Sequence, residues 1–366
     1  MNLGTTKGHL VNAINLAERI AGKKETLPVL SCVLLEAGSN TLTVRATNLE
    51  AGIEITIPAT VEDKGMVAIP AGVISQTIRS ITGDAIKLKG QDGNLSVESR
   101  GSKNLIKAIP HEEFPSLPVS NEKQGFTMSR ERFISGVSAV IYAASPSMIR
   151  PELGSVYVAI DSGNITVVAT DSFRLAEKTV KGVTKKESGE LLIPLKHAQE
   201  LLFILERLDT EDITIVAEEA QISVSGSGVR FVSRVVDAQF PNYKEIVPKT
   251  FMTEATLLKN DFLEILRKAR VFSGNENHVG FHVYPKRKIF SAIARSSEIG
   301  EMSDVLDAAV SGEDIDINFH IGYLSDCLSS IQSDSIQLGF AGTGRPLVIR
   351  GVSDASFMYL VMPLNR

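Results

Sequence analysis

The sequence predicts an α+β protein made of three copies of one domain, each with two helices packed on antiparallel sheets. Three observations carry this reading. An apolar stripe at helical spacing recurs at a nearly constant interval, each stripe is followed by paired β-rich runs, and 366 residues divide into three spans of 122 with nothing left over.

The first helix of each copy is marked by Leu10, Ala13, Ile14, Ala17 and Ile20, then by Phe133, Ile134, Val137, Val140 and Ile141, then by Phe262, Ile265, Leu266 and Ala269. The leading residues lie 123 and 129 positions apart. Alternating runs follow from Pro28, Pro151 and His278, each pair separated by turn residues, so all three are predicted hairpins. The pair Ala46-Thr47 returns as Ala169-Thr170, and Ala294-Arg295 takes the third slot. A second helix is predicted after a short apolar strand, from Ile69, Ile193 and Phe319, at offsets of 124 and 126. The first two copies close on similar corners, Glu112 to Pro118 and Ala238 to Pro248, whereas the third ends on the apolar run from Ser356. About eight strands per copy are expected, with domains at residues 1–122, 123–249 and 250–366.

At 43% hydrophobic and 22% charged residues the composition suits a soluble globular chain rather than a disordered one. No run approaches the roughly 18 apolar residues of a membrane span, and the start lacks the pattern of a secretory signal. Cys32 and Cys327 stand in apolar surroundings, as expected of buried thiols in a reducing compartment. A cytoplasmic location is therefore expected.

Constellations that carry enzyme chemistry are missing. The sequence has no GxxxxGK[ST], HExxH, CxxC or GxSxG motif. Gly226-Ser227-Gly228 and Gly342-Thr343-Gly344 fall between predicted strands and are expected to be hairpin turns. His278 and His282 are placed in a turn and a strand, where a spacing of four does not converge on a metal. Asp171, the one candidate acid considered, has no second carboxylate or histidine near it in sequence, and a turn cap is the expected role. No cofactor is expected.

The net charge is −5, yet the six predicted helical segments sum to +6 and the remainder to −11. A basic helical layer would hold a duplex weakly and without reading sequence, because phosphate neutralisation releases counterions whatever the bases are. Lys23, Lys24, Arg267, Lys268 and Arg270 equally suit helix C-termini, so charge permits nucleic-acid binding without establishing it. The absence of Trp weighs against a base-stacking single-strand binder.

The motifs TLPVL at Thr26, HEEFPSLP at His111, ATDSFRLA at Ala169, VDAQFPNY at Val236 and the terminal YLVMPLNR together resemble the bacterial DNA polymerase III beta subunit family, the sliding clamps of replication. The likeness spans the whole chain in order. It implies three DNA-clamp domains per chain and a head-to-tail homodimer closing into a six-domain ring around duplex DNA. The dimer joint would set Leu105 and Ile106 against Val271 and Phe272, with Asn104 where relatives can carry a larger apolar residue. Lys24, Arg150 and Lys196 would face DNA.

The family also implies a cleft for short peptides with aliphatic and aromatic anchors. Carried over by position, it comprises Leu153, Thr170, Ser172, Phe173, Arg174, Leu175, Pro241, Ile246, Tyr323, Pro346, Val361, Met362, Pro363 and Leu364. Implied partners are the replicative polymerase alpha subunit, the clamp loader, and repair polymerases, mismatch-repair proteins and ligase. Ser172, Phe173 and Glu245 replace the glycine, histidine and basic residue common in the family. A triplicated peptide-binding scaffold that never encircles DNA is the alternative.

Overall fold

All six apolar stripes become helices, because each sets enough side chains on one face to bury against a sheet. They are α1 (Lys7–Ile20), α2 (Ala71–Ser80), α3 (Arg130–Ser138), α4 (Leu195–Leu205), α5 (Lys259–Phe272) and α6 (Ile321–Asp326) in a computed structural model. It describes residues 1–22, 27–91, 93–120, 125–161, 163–183 and 189–364. Lys24, expected to face DNA, lies outside them. Among the described residues the three 122-residue spans hold nine, eight and nine strands, close to the eight expected.

Thr6 caps α1 by accepting from the His9 amide, and the helix buries Leu10, Ala13, Ile14, Leu16, Ala17 and Ile20. In α5 the buried set is Phe262, Ile265, Leu266 and Ala269, the four residues the spacing selected. The second stripe needs correction. Val140 and Ile141 do not extend α3, which stops at Ser138 and gives way to a 3-10 turn over Ile141–Ala143. β-branched residues are poor helix formers, and other side chains take the freed carbonyls: Ser330 donates to Ala139 O (3.0 Å) and Arg174 to Tyr142 O (2.6 Å).

By compactness the chain forms two units, Met1–Arg130 with Gln199–Val235, and Glu131–Ala198 with Val236–Arg366. The first holds a five-stranded antiparallel sheet ending on the edge strand Ser102–Lys107, and an eight-stranded sheet. In the latter, Ala51–Pro58 pairs with Val229–Arg234, so strands far apart in sequence share one ladder.

The second unit repeats this join. In its nine-stranded sheet Arg174–Lys181 pairs with the last strand, Asp354–Val361, which is flanked on its other side by Leu347–Gly351. An interior place in that sheet explains why the terminal run is apolar. A four-stranded sheet runs in the order Gly300–Leu306, Ile289–Ser296, His278–Tyr284, Ile315–His320.

Both GxG fragments sit between consecutive strands, as expected, and the first has Ser227 and Gly228 at φ of 50° and 73°, the left-handed pair of a tight hairpin. His278 proves to be strand rather than turn, sharing His278–Tyr284 with His282. Its cross-strand partner is His320, and His282 bonds Asp316 on the neighbouring strand (2.6 Å).

Candidate peptide-binding cleft

The centre of the site is the turn between Asn164–Thr170 and Arg174–Lys181. Thr170 donates its hydroxyl to Arg174 O (2.6 Å), and Asp171 Oδ1 accepts from the amides of Phe173 (2.9 Å) and Arg174 (3.0 Å). Those bonds hold Ser172 at φ 79°, where glycine would be unstrained. The first repeat builds the same turn from Thr47, Asn48 and Leu49, with Leu49 at φ 72°. Asp171 is thus the turn cap its sequence position suggested.

Asp171 also pairs through Oδ2 with Arg174 (2.9 Å). The same guanidinium reaches Asp326 (2.6 Å) and Tyr142 O (2.6 Å), and lies 4.4 Å above the ring of Tyr323. Only 12% of the Arg174 side chain is exposed, so one planar fork ties the turn to α6 and to the 3-10 turn that follows α3. Tyr359 donates to the carbonyl of Tyr323 (2.8 Å), fixing the same residue from the terminal strand.

Behind the turn the sheet face is apolar. Val168, Leu175, Val348, Met358 and Leu360 form a buried cluster with Tyr243, and Tyr157, Phe240, Val247, Phe251 and Met362 pack against it. Phe240 stacks on Tyr157 at 4.7 Å, and the Tyr243 hydroxyl donates to Glu177. The chain end closes one side, because Met362 N donates to Phe173 O (2.8 Å) and Leu364 N to Asn318 O (2.9 Å).

Most of the expected cleft residues therefore meet. Arg174 and Leu175 pair directly with Val361 and Leu360, and Met362 joins the apolar cluster. Around that buried floor stand Phe173 (61% exposed), Ile246 (57%) and Leu364 (40%), large apolar groups facing solvent together with half-buried Pro241, Pro346 and Pro363. Leu153 is buried in the turn before Ser155–Asp161, its amide bonded to Arg150 O, and has no place in the cluster. The sequence reading missed Asp326, Tyr142, Tyr359 and His320. No local motif marks Asp326, Tyr142 or Tyr359, which matter through the fold that brings them to Arg174 or Tyr323, whereas His320 lies only three residues before Tyr323, at the N-cap of α6.

His320 lies beside this cluster. Burial, then the charge of Arg174, pushes its pKa below the ordinary histidine range against the opposing pull of Asp326. Cys327, wholly buried, has its thiol pushed up by that burial and is inert as a nucleophile.

The helical basic excess is partly answered locally. Arg19 forks onto Glu200, Arg79 lies 3.5 Å from Glu18, Arg207 3.7 Å from Glu206, and Lys268 2.9 Å from Asp304. Arg150 pairs with Glu152 (2.9 Å), while Lys196 is exposed at the start of α4. Of the expected joint residues, Leu105 (63%) and Val271 (62%) are exposed, Phe272 is half-buried and Ile106 is buried. Among the described residues no group of histidine, cysteine and carboxylate side chains is arranged to hold a metal, and no helix is long and apolar enough to cross a membrane.

Three family models match in succession. They are the N-terminal domain of the DNA polymerase III beta subunit over residues 1–118, the central domain over 127–242 and the C-terminal domain over 244–365. Among curated relatives, the beta sliding clamp of Bacillus subtilis is 24% identical over all of both chains, and that of Chlamydia trachomatis 25% over all of this chain and 88% of its own. The crystal structure of the Thermotoga maritima DNA polymerase III beta subunit superposes with a TM-score of 0.93 at 25% identity, covering 100% of this chain and 99% of that one. The Bacillus subtilis sliding clamp gives 0.95 at 24%, with the same coverage.

Proposed function

The chain belongs to the DNA polymerase III beta subunit family, and from that premise we propose that it is a non-catalytic sliding clamp, the processivity factor of a replicative DNA polymerase. The observation that carries this is the succession of three clamp-domain matches along a chain with a buried apolar floor and a rim of exposed apolar side chains. The domains are 1–122, 123–249 and 250–366. Two chains join head to tail, Leu105 and Ile106 of one against Val271 and Phe272 of the other, and a heterologous joint of this kind closes into a ring when the rotation per domain is near one-sixth of a turn.

Enclosure replaces adhesion. A closed ring cannot leave a duplex sideways, so contacts from Lys24, Arg150 and Lys196 need only be weak and sequence-blind, and the local pairing of helical arginines suits that requirement. Base-edge hydrogen bonds would instead stall sliding at particular sites. In the cytoplasm, at replication forks, the cleft would dock the polymerase alpha subunit, the clamp loader and repair proteins in turn. Loading requires a separate ATP-driven machine, since the sequence carries no phosphate-binding loop.

Retention on circular against linearised duplex after loading is the deciding measurement. Survival on circles with rapid loss from ends is expected. Equal loss from both would favour a peptide scaffold that never encircles DNA, as would a chain that stays monomeric at micromolar concentration.

A further inference from the structure

Tyr323 is held in the cleft partly by a histidine whose acceptor atom exists only in the neutral ring. His320 is the N-cap of α6, its backbone extended at φ −73° and ψ 122°, and its Nδ1 accepts from the Tyr323 amide at 3.4 Å. The two rings also touch, with centroids 4.6 Å apart. A Cβ on Gly322 would stand 2.9 Å from His320 Cε1, so that glycine leaves room for the imidazole over the first turn.

We infer that His320 is a positioning residue for the peptide cleft, setting Tyr323 through the α6 cap and releasing it on protonation. An imidazolium has no lone pair for the Tyr323 amide. The groups facing it are Arg174 from the hairpin turn, Arg270 from α5, Asp326 from α6 and His278 across the strand pair, the last bonded to Glu276. Two arginines against one aspartate already engaged by Arg174 oppose the added charge. Burial acts in the same direction, so the change falls below about pH 6.5. The inference rests on the cleft being a peptide site.

The test uses the full chain and a fluorescent synthetic peptide with leucine and phenylalanine anchors and no group titrating between about pH 5 and 8. Affinity is expected to fall from about pH 8 to about pH 5.5, by up to about fivefold, the size of a fully lost cap. His320→Asn keeps a capping acceptor without a titrating ring and should bind equally at both values. His320→Ala should bind weakly at both, and His278→Gln should keep the pH dependence of the parent. A His320→Asn variant that still loses affinity in acid, or a parent that binds equally at both values, overturns the assignment. No binding by the parent at about pH 8 removes the cleft itself, a separate failure.

Discussion

Replacing Arg174 by alanine removes the side chain on which the cleft converges. Three charge-assisted bonds are lost, to Asp171, Asp326 and Tyr142 O, each worth about 1.5–3 kcal/mol before compensation. Compensation is substantial but incomplete. Asp171 keeps the Phe173 and residue-174 amides, and Asp326, 44% exposed, regains water, whereas the Tyr142 carbonyl loses its donor and Tyr323 the cation above it. A net loss of about 3 kcal/mol is expected. It should be local, because the bonds tie one turn to α6 rather than stabilising the chain as a whole. Hydrogen exchange followed by mass spectrometry reads this directly, as roughly 100-fold faster exchange in the amides of residues 164–181 and 315–330 with little change in the first unit. Arg174→Lys should recover only part of it, since a point charge cannot fork to three acceptors. A change below about 1 kcal/mol, or one spread evenly over both units, would refute the reasoning.

Two further outcomes are expected. Deleting Met362 to Arg366 removes the backbone bonds to Phe173 and Asn318 and the Met362 side chain from the apolar cluster, so calorimetry should find peptide binding abolished while sedimentation finds the dimer intact. The pair formed by Lys178 and Asp354, 8% and 14% exposed, predicts an acid transition. Burial raises the Asp354 pKa, but Ser356 and Lys178 outweigh it and leave the carboxyl below its ordinary value. Its contribution is therefore present above about pH 4 and lost as pH falls through the lower folded value. Asp354→Asn, leaving Lys178 buried against a neutral group, should cost about 3 kcal/mol at neutral pH and flatten that transition in urea titrations.

The repeat was legible because helix and strand periodicities are local. Phe262, Ile265, Leu266 and Ala269 are both the residues the spacing selects and the ones α5 buries. The same logic failed at Val140 and Ile141, where the end of α3 is settled by Ser330 and Arg174, side chains remote in sequence. Family motifs pointed to Arg174, Leu175 and Met362, but none pointed to Asp326, which is 152 positions from Arg174 and matters by proximity, or to His320, whose role is that of a local helix cap.

By itself the sequence determined the threefold plan, the helix faces, the hairpins and the turn chemistry of Asp171, because each depends on residues a few positions apart. Only the tertiary structure decided which strands share a ladder, why the apolar chain end lies inside a sheet, and how one guanidinium joins three distant segments. Those depend on contacts between residues up to 191 positions apart, the separation of Ala139 and Ser330.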